Sequence, residues 1–487
     1  MKATLLALSR CTALAAPAAR AADADRIPIT TTSPEAKALY LEGRAFAEEL
    51  RANEARAKFE AAIAKDPDFA LAHFGLAGVA FGGQAFFDSV KKAVALSSRV
   101  SSGERHLILA FDAGARGDPA TQAKEMDALA AEYPKDPRAL VPQANVAFAR
   151  QEYARAVALY EKVIALDPAW SFPWNQLGYA NRFLGDYAAA EKAFVRYVAL
   201  VPKDPNPHDS LAELYFKAGK FEQGIASYAK ALAVDPNFIA SYVGIANCQV
   251  GLGRPAEARA TLAKLKKLAR NPGDVRTSVF WTTMAWVHEG KPDQAVKAFQ
   301  ENLDQSRGAK DLANHSADLV VLGNLQLHAG KLDAALQSFG KAVEAMEQAP
   351  VPEDVKEGVR RNHLYFASWV AAMRGDVAAA RTNADAYRQK VAVRSLPFEV
   401  RRTHELDGHV ALLSKDFPRA IAELGQANLN DPWVHVLLAR AYEGAGQKKA
   451  AHDAWLAAAD YNELGFPISW AFLRGEARRA AKATPPS

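Results

Sequence analysis

The sequence predicts an all-α protein, an α-solenoid built from about a dozen two-helix units. Three observations carry that expectation. Pro168, Pro202 and Pro236 follow one another at intervals of 34 residues. Bulky and small side chains recur at fixed offsets between them. Alanine is abundant and β-branched residues are sparse, which favours helix because alanine loses no side-chain entropy there.

The clearest unit starts at Ser171. Trp174, Leu177 and Gly178 stand at positions 4, 7 and 8, Gly185 at 15, Ala190 at 20, Phe194 at 24 and Pro202 at 32. The next, from Pro205, reads Leu211, Ala212, Tyr215, Gly219, Gly224, Tyr228, Ala231 and Pro236. Upstream, Ala36 opens Leu39, Gly43, Phe46, Ala55, Phe59, Ala62 and Pro67, and Pro137 opens Leu140, Ala144, Ala156, Tyr160 and Pro168. Two weaker units lie between Phe69 and Tyr133. Downstream, Ile239 opens a unit with Ala246, Gly253 and Ala258, whose second helix is expected to run on toward Asn271-Pro272. Further units centre on Gly290/Ala295/Phe299, Gly330/Ala335/Phe339, Gly375/Ala380, Ala420/Leu424/Pro432 and Leu438/Tyr442/Gly446/Trp455.

These spacings closely resemble the tetratricopeptide repeat: Trp174-x2-Leu177-Gly178, then Ala190-x3-Phe194, then Pro202. The resemblance covers about nine-tenths of the chain and implies a right-handed superhelix of helix-turn-helix repeats. Gly224 departs from the alanine usual at its position.

Each recurring residue has a mechanical reading. Bulky residues, Trp174 among them, are expected to fill the space between helices. Glycine inside a helix costs about 0.5–1 kcal/mol against alanine, so Gly43, Gly178, Gly323 and Gly408 are expected at close backbone contacts. Asp-Pro stops the second helix, because proline disfavours helix in the residue before it. Ser33-Pro34-Glu35 reads as a helix start, and Ser101-x-x-Glu104 as a capping box. Asn271-Pro272-Gly273 and Ala349-Pro350-Val351-Pro352 are the best internal breaks. The expected organisation is a signal peptide over 1–21, an extended lead-in over 22–33, an N-terminal array over 34–271, middle units over 274–348 and C-terminal units over 353–460. A closing helix with a loose tail follows over 461–487, where Trp470, Phe472 and Leu473 with Arg474, Arg478, Arg479 and Lys482 read as an amphipathic cap.

The first 21 residues run Lys2, an apolar stretch, then Ala19-Arg20-Ala21, the order of a secretory signal, although Arg10 interrupts the stretch. Export to the periplasm or beyond is the expectation, with a cytoplasmic protein as the alternative. Removing Lys2, Arg10 and Arg20 lowers the net charge from +5 to +2, which leaves little pull on a nucleic acid. Cys248 would then be the remaining cysteine. No apolar run is long enough for a transmembrane segment in the mature chain.

Catalytic patterns are weak. Ser89/Lys92, Ser227/Lys230 and Ser338/Lys341 match S-x-x-K, but the last two sit at nearly the same place in the repeat, so periodicity explains them. Gly251-x-Gly253-x-x-Ala256 follows no strand and is not a dinucleotide loop. The histidines form no metal-ligand spacing, so neither metal nor cofactor is expected.

In the resembled family the first helix of each unit lines the concave face, where peptides or partner helices bind. Positions 2, 5, 9 and 12 of that helix are expected to face solvent. They carry Asn145, Asn175, Tyr179, Arg182, Asn206, Asp209, Glu213 and Asn247, a candidate peptide-binding groove whose amides could pair with a main chain. Val141 and Val243 stand where a chaperone-tail clamp needs lysine. In the second half the corresponding residues are Phe280, Met284, Val320, Asn324, Tyr365 and Trp369, either core or an apolar groove for a helix. The expectation is a non-enzymatic scaffold that binds a protein or peptide partner in the cell envelope. The alternative is a cytosolic regulatory partner of a separate signalling or transcription chain.

Overall fold

The computed structural model describes residues 25–483 apart from 49–50, 81–82, 117, 352, 393–395 and 463–467. The expected signal peptide and loose tail lie outside the described residues. Among those described are twenty-five α-helices and no strand. Taken in order, the first twenty-four helices make twelve consecutive pairs, in line with the expected number of units, and in eleven of the pairs the two helices pack on each other.

The chain divides into two compact units at Leu214/Tyr215, a position inside the segment read as one array from 34 to 271. The first holds α1 (Pro34–Glu48), α2 (Ala52–Lys65), α3 (Ala70–Gly78), α4 (Gly83–Leu96), α5 (Ser102–Ala115) and α6 (Pro119–Glu132). Then come α7 (Pro137–Ala149), α8 (Tyr153–Leu166), α9 (Ser171–Leu184), α10 (Tyr187–Leu200) and most of α11 (Asn206–Lys217). The second unit holds α12 (Phe221–Val234), α13 (Ile239–Gly251), α14 (Pro255–Leu268), α15 (Pro272–His288), α16 (Pro292–Gly308), α17 (Leu312–His328) and α18 (Leu332–Glu347). It continues through α19 (Glu353–Met373), α20 (Val377–Ala392), α21 (Pro397–Leu413), α22 (Phe417–Leu424), α23 (Pro432–Gly444), α24 (Lys448–Ala459) and α25 (Ile468–Ala483). The break read at Asn271-Pro272 is a helix start. Helix α14 ends at Leu268, and the Asn271 side chain caps α15 by accepting from the Asp274 N–H at 3.0 Å.

The Asp-Pro corners work as the local chemistry requires. Asp66, Asp167 and Asp235 end their helices with φ between −146° and −133° and extended ψ. Each carboxylate then accepts the N–H two residues on, at 3.1, 3.2 and 2.9 Å, which closes the turn into the next helix. The residue at position 4 latches the same corner. Trp174 Nε1 donates to the Pro168 carbonyl at 3.1 Å, the Tyr242 hydroxyl to that of Pro236 at 3.0 Å, and His73 Nε2 bonds that of Pro67 at 3.0 Å. Trp174 is therefore half-buried at a corner and is not the fully buried core residue expected from its position.

Close approach at glycine is as expected. A Cβ on Gly178 would lie 2.5 Å from Phe194, on Gly323 2.4 Å from Phe339, and on Gly408 2.5 Å from Leu424. Phe59 is held between Gly43 and Gly75, whose Cβ positions would fall 2.8 and 2.7 Å from it. The bulky side chain at position 24 thus fills the gap that glycine opens.

The lead-in of the first unit is extended and held by carboxylates. Asp136 accepts the Ile27 N–H at 2.7 Å, Glu104 accepts the Thr30 N–H at 2.7 Å, and Arg138 donates to the Ile27 carbonyl at 2.5 Å. Burial opposes ionisation of Asp136, but Arg138 and the Ile27 N–H outweigh it and hold the carboxyl below its ordinary range. Glu104 also completes the capping box with Ser101, so one side chain starts α5 and anchors the lead-in.

Candidate peptide-binding sites

The candidate face of the first unit lies on the first helices of its pairs. Tyr179 on α9 projects across to α11, where its hydroxyl donates to Glu213 at 2.9 Å and lies 3.2 Å from the Ser210 hydroxyl. Arg182, one turn along, approaches the same carboxylate at 3.4 Å and lies 5.0 Å from the Tyr179 ring centroid. Burial, and then the neighbouring Glu213 charge, push the Tyr179 hydroxyl well above its ordinary pKa, so it remains a neutral donor. Tyr179, Arg182, Ser210 and Glu213 therefore form one network between two successive repeats. Seven of the eight candidates lie in this unit and Asn247 lies in the other.

The expectation that all eight face solvent needs correction. Asn145 is exposed, and Tyr179 and Glu213 are half-buried, but Asn175, Arg182, Asn206, Asp209 and Asn247 are only 5–6% exposed. The positional rule assumes an ideal repeat in which nothing covers the first helix. Two of the asparagines have evident structural tasks. Asn145 Oδ1 accepts from the Tyr160 hydroxyl at 2.7 Å, and Asn206 Nδ2 donates to that of Tyr197 at 3.0 Å. Two others keep a polar atom unsatisfied. Asn175 Oδ1 and Asn247 Nδ2 are buried without a hydrogen-bond partner. A buried unpaired amide atom costs about 1–3 kcal/mol, so neither atom contributes to stability.

The second unit answers the choice between core and groove. Met284, Tyr365 and Trp369 are buried, while Phe280, Val320 and Asn324 are half-buried. Phe280, Asn324, Tyr365 and Trp369 line a cavity of about 340 Å³ together with His328, Arg402, Glu405, Asp431 and Trp433. Ile468 and Ser469, at the start of α25, line it too. The repeat period does not point to the polar members: His328 ends α17, Arg402 and Glu405 lie in α21, both helices of 17 residues, and Asp431 caps α23. Tyr365 donates its hydroxyl to Glu405 at 2.6 Å, and the Arg402 guanidinium sits 4.6 Å from the Tyr365 ring centroid. Burial, and then the Asp431 charge, push the Glu405 carboxyl up; burial likewise raises Asp431.

Among the described residues no three His, Cys, Asp or Glu side chains converge on a metal-sized site, and no helix is long and apolar enough to cross a membrane. Ser89 bonds Ala85 in its own helix, at 2.8 Å, and Ser338 bonds Gln326 at 2.7 Å.

Comparison with known proteins agrees with the periodicity. Residues 40–90, 173–204 and 215–277 each match a family model described as tetratricopeptide repeat. Over 144 residues the chain is 31% identical to cellulose synthase operon protein C of Xanthomonas axonopodis pv. citri, a match covering 28% of this chain and 10% of that protein. Over 142 residues it is 30% identical to cytochrome c-type biogenesis protein CycH of Rhizobium meliloti, covering 28% and 34%. Over 193 residues it is 26% identical to protein FlbA of Caulobacter vibrioides, covering 39% and 32%. The matched part thus spans between a tenth and about a third of these relatives. A crystal structure of a tetratricopeptide repeat protein from Parabacteroides merdae is 16% identical, with a TM-score of 0.36, over 56% of this chain and 98% of that one. With its 34-residue period, its twelve helix pairs and glycine-to-ring contacts at the repeat positions, the chain is a tetratricopeptide repeat protein.

Proposed function

We propose that the chain is a non-catalytic adaptor that holds a peptide segment of a protein partner on the first-helix face of its first unit, in the bacterial cell envelope. The repeat fold supports protein interaction as the general role. The observation that carries the site is the inter-repeat network of Tyr179, Arg182 and Glu213 one turn from Asn175, whose buried carbonyl has no partner. A peptide N–H that reached the Asn175 carbonyl would satisfy it, the Tyr179 oxygen, whose proton goes to Glu213, can accept from a second N–H, and the Arg182 guanidinium carries donors for a peptide carbonyl. The envelope assignment rests on the order of Lys2, apolar stretch and Ala19-Arg20-Ala21.

Two measurements test the reading. Affinity capture from envelope extracts with the Asn175→Ala/Tyr179→Ala chain should recover the partner with affinity weakened on the order of tens of fold, because a net hydrogen bond is worth about 0.5–1.5 kcal/mol and an interface tyrosine 2 kcal/mol or more. Helical circular dichroism should not change. Lys264→Ala with Lys267→Ala, on the second helix α14, should bind as the parent does; loss of binding there alone would move the partner to the opposite face. Intact-mass measurement of the native protein should show cleavage near Ala21, and a full-length cytoplasmic product would refute export.

A further inference from the structure

The second unit already contains a helix on its first-helix face. Helix α25 is not confined to the last pair: besides α23 and α24 it packs on α15 and α17, first helices four and three pairs upstream of α23. The expected cap is thus also a filling for the groove. Its buried residues Trp470, Leu473, Arg474, Ala477 and Ala481 form one stripe, and Arg478, Arg479 and Lys482 lie on the exposed side. Trp470 is the anchor, 1% exposed, with its ring 4.6 Å from that of His288 at the end of α15. Phe472 lies 5.6 Å from His328 at the end of α17.

The fit of this helix is incomplete. Arg474 is 6% exposed and stacks 4.6 Å over Trp470, yet the group it bonds is neutral: Nη2 donates to Asn462 Oδ1 at 2.9 Å, and Nε is buried without a partner. Burial, and then the nearby Arg478 charge, bring its pKa down to about 10. His288 Nε2, against Trp470, is also buried and unpaired. Beside the first turn of α25 lies the 340 Å³ cavity. A buried cation in no direct ion pair among the described residues, with Asp460 acting on it only at a distance, unpaired polar atoms and open volume each weaken a docked helix.

From this we infer that α25 is a built-in, displaceable ligand, and that the first-helix face of the second unit receives an amphipathic partner helix of the same chemistry: an aromatic anchor, a leucine three residues on, and alanines one and two turns further. This surface is separate from the Asn175/Tyr179 face, and its test alters neither residue. The probe is a fluorescein-labelled peptide of residues 468–483, titrated by anisotropy against the full-length chain and its Trp470→Ala variant. Removing the anchor loosens the resident helix, so the variant should bind the peptide at least ten-fold more tightly than the parent does, and a scrambled peptide should bind neither. Hydrogen exchange of the unaltered chain gives a second reading that does not depend on how the variant folds. Amides of α25 should exchange well ahead of those in α23 and α24. Exchange of α25 as slow as that of α23 and α24 would show a permanent part of the fold and overturn the inference. Equal peptide binding by the two chains with unchanged circular dichroism would do the same, as would no binding by either.

Discussion

At the scale of single residues, identical chemistry has opposite consequences at different repeat positions. Alanine is the better helix former by about 0.8–1 kcal/mol, yet at Gly178 its methyl would fall 2.5 Å from the buried Phe194 ring. Gly178→Ala is expected to destabilise by about 1–3 kcal/mol through overpacking. Gly340, inside α18, has open space around its Cβ position, so Gly340→Ala is expected to stabilise by up to about 1 kcal/mol. Thermal melts of the two variants should move in opposite directions, and shifts of the same sign would refute the packing argument. Trp174 and Asn175 make a second contrast. Losing the corner bond of Trp174 and half its packing should cost about 1–3 kcal/mol, less than a full core deletion. Asn175→Ala removes a buried unpaired carbonyl, so its melting temperature should match or exceed that of the parent. An asparagine that contributes nothing to stability fits a residue kept for binding.

At the scale of elements, seven glycines among the described residues take φ between +73° and +83°. Most of them sit at the turn within a pair, as Gly185 and Gly253 do. Gln151, between α7 and α8, and Lys415, between α21 and α22, do the same work at φ 63° and 61° without glycine. The left-handed conformation costs a side-chain-bearing residue about 1–2 kcal/mol, so Lys415→Gly is expected to raise the unfolding free energy by about 1 kcal/mol in urea titration. An unchanged or lower midpoint would count against it. These turns, the Asp-Pro corners and the glycine-to-ring contacts were legible in the sequence because each depends on residues within one repeat. Exposure of the candidate site was not. Asn175 and Asn247 occupy the positions of open-groove residues and are buried, and Tyr365 and Trp369 are covered in a unit whose terminal helix returns to α15 and α17. Tyr365 and Trp369 meet Glu405, His409 and Trp433 from the next two pairs, contacts that fixed offsets within one repeat do not encode.

At the scale of the whole molecule, sensitivity to acid should be concentrated in the second unit. Burial, with the charges of Arg474 and Arg478, lowers His288 to about 3; burial alone lowers His328 to about 4; burial and Arg440 lower His409 to about 3. An unfolded histidine titrates near 6.5, so between that value and the lowered ones the unfolded chain binds protons that the folded chain does not. Stability from these groups is complete above pH 6.5 and falls as the pH drops toward 4, by up to about 1.4 kcal/mol per pH unit for each group. Glu405 and Asp431 act in the opposite direction, because burial raises them and the fold holds protons there that the unfolded chain has lost. Three histidines set against two carboxyls leave a net loss in acid. Six of the eight tryptophans lie in the second unit, so tryptophan fluorescence during urea unfolding at pH 7 and pH 5 reports mainly on it. The midpoint should fall at pH 5, and His328→Gln, which stays neutral throughout, should show a smaller fall than the parent. A midpoint that does not change with pH, or a variant as acid-sensitive as the parent, would mean that these histidines are open to protonation in the folded chain.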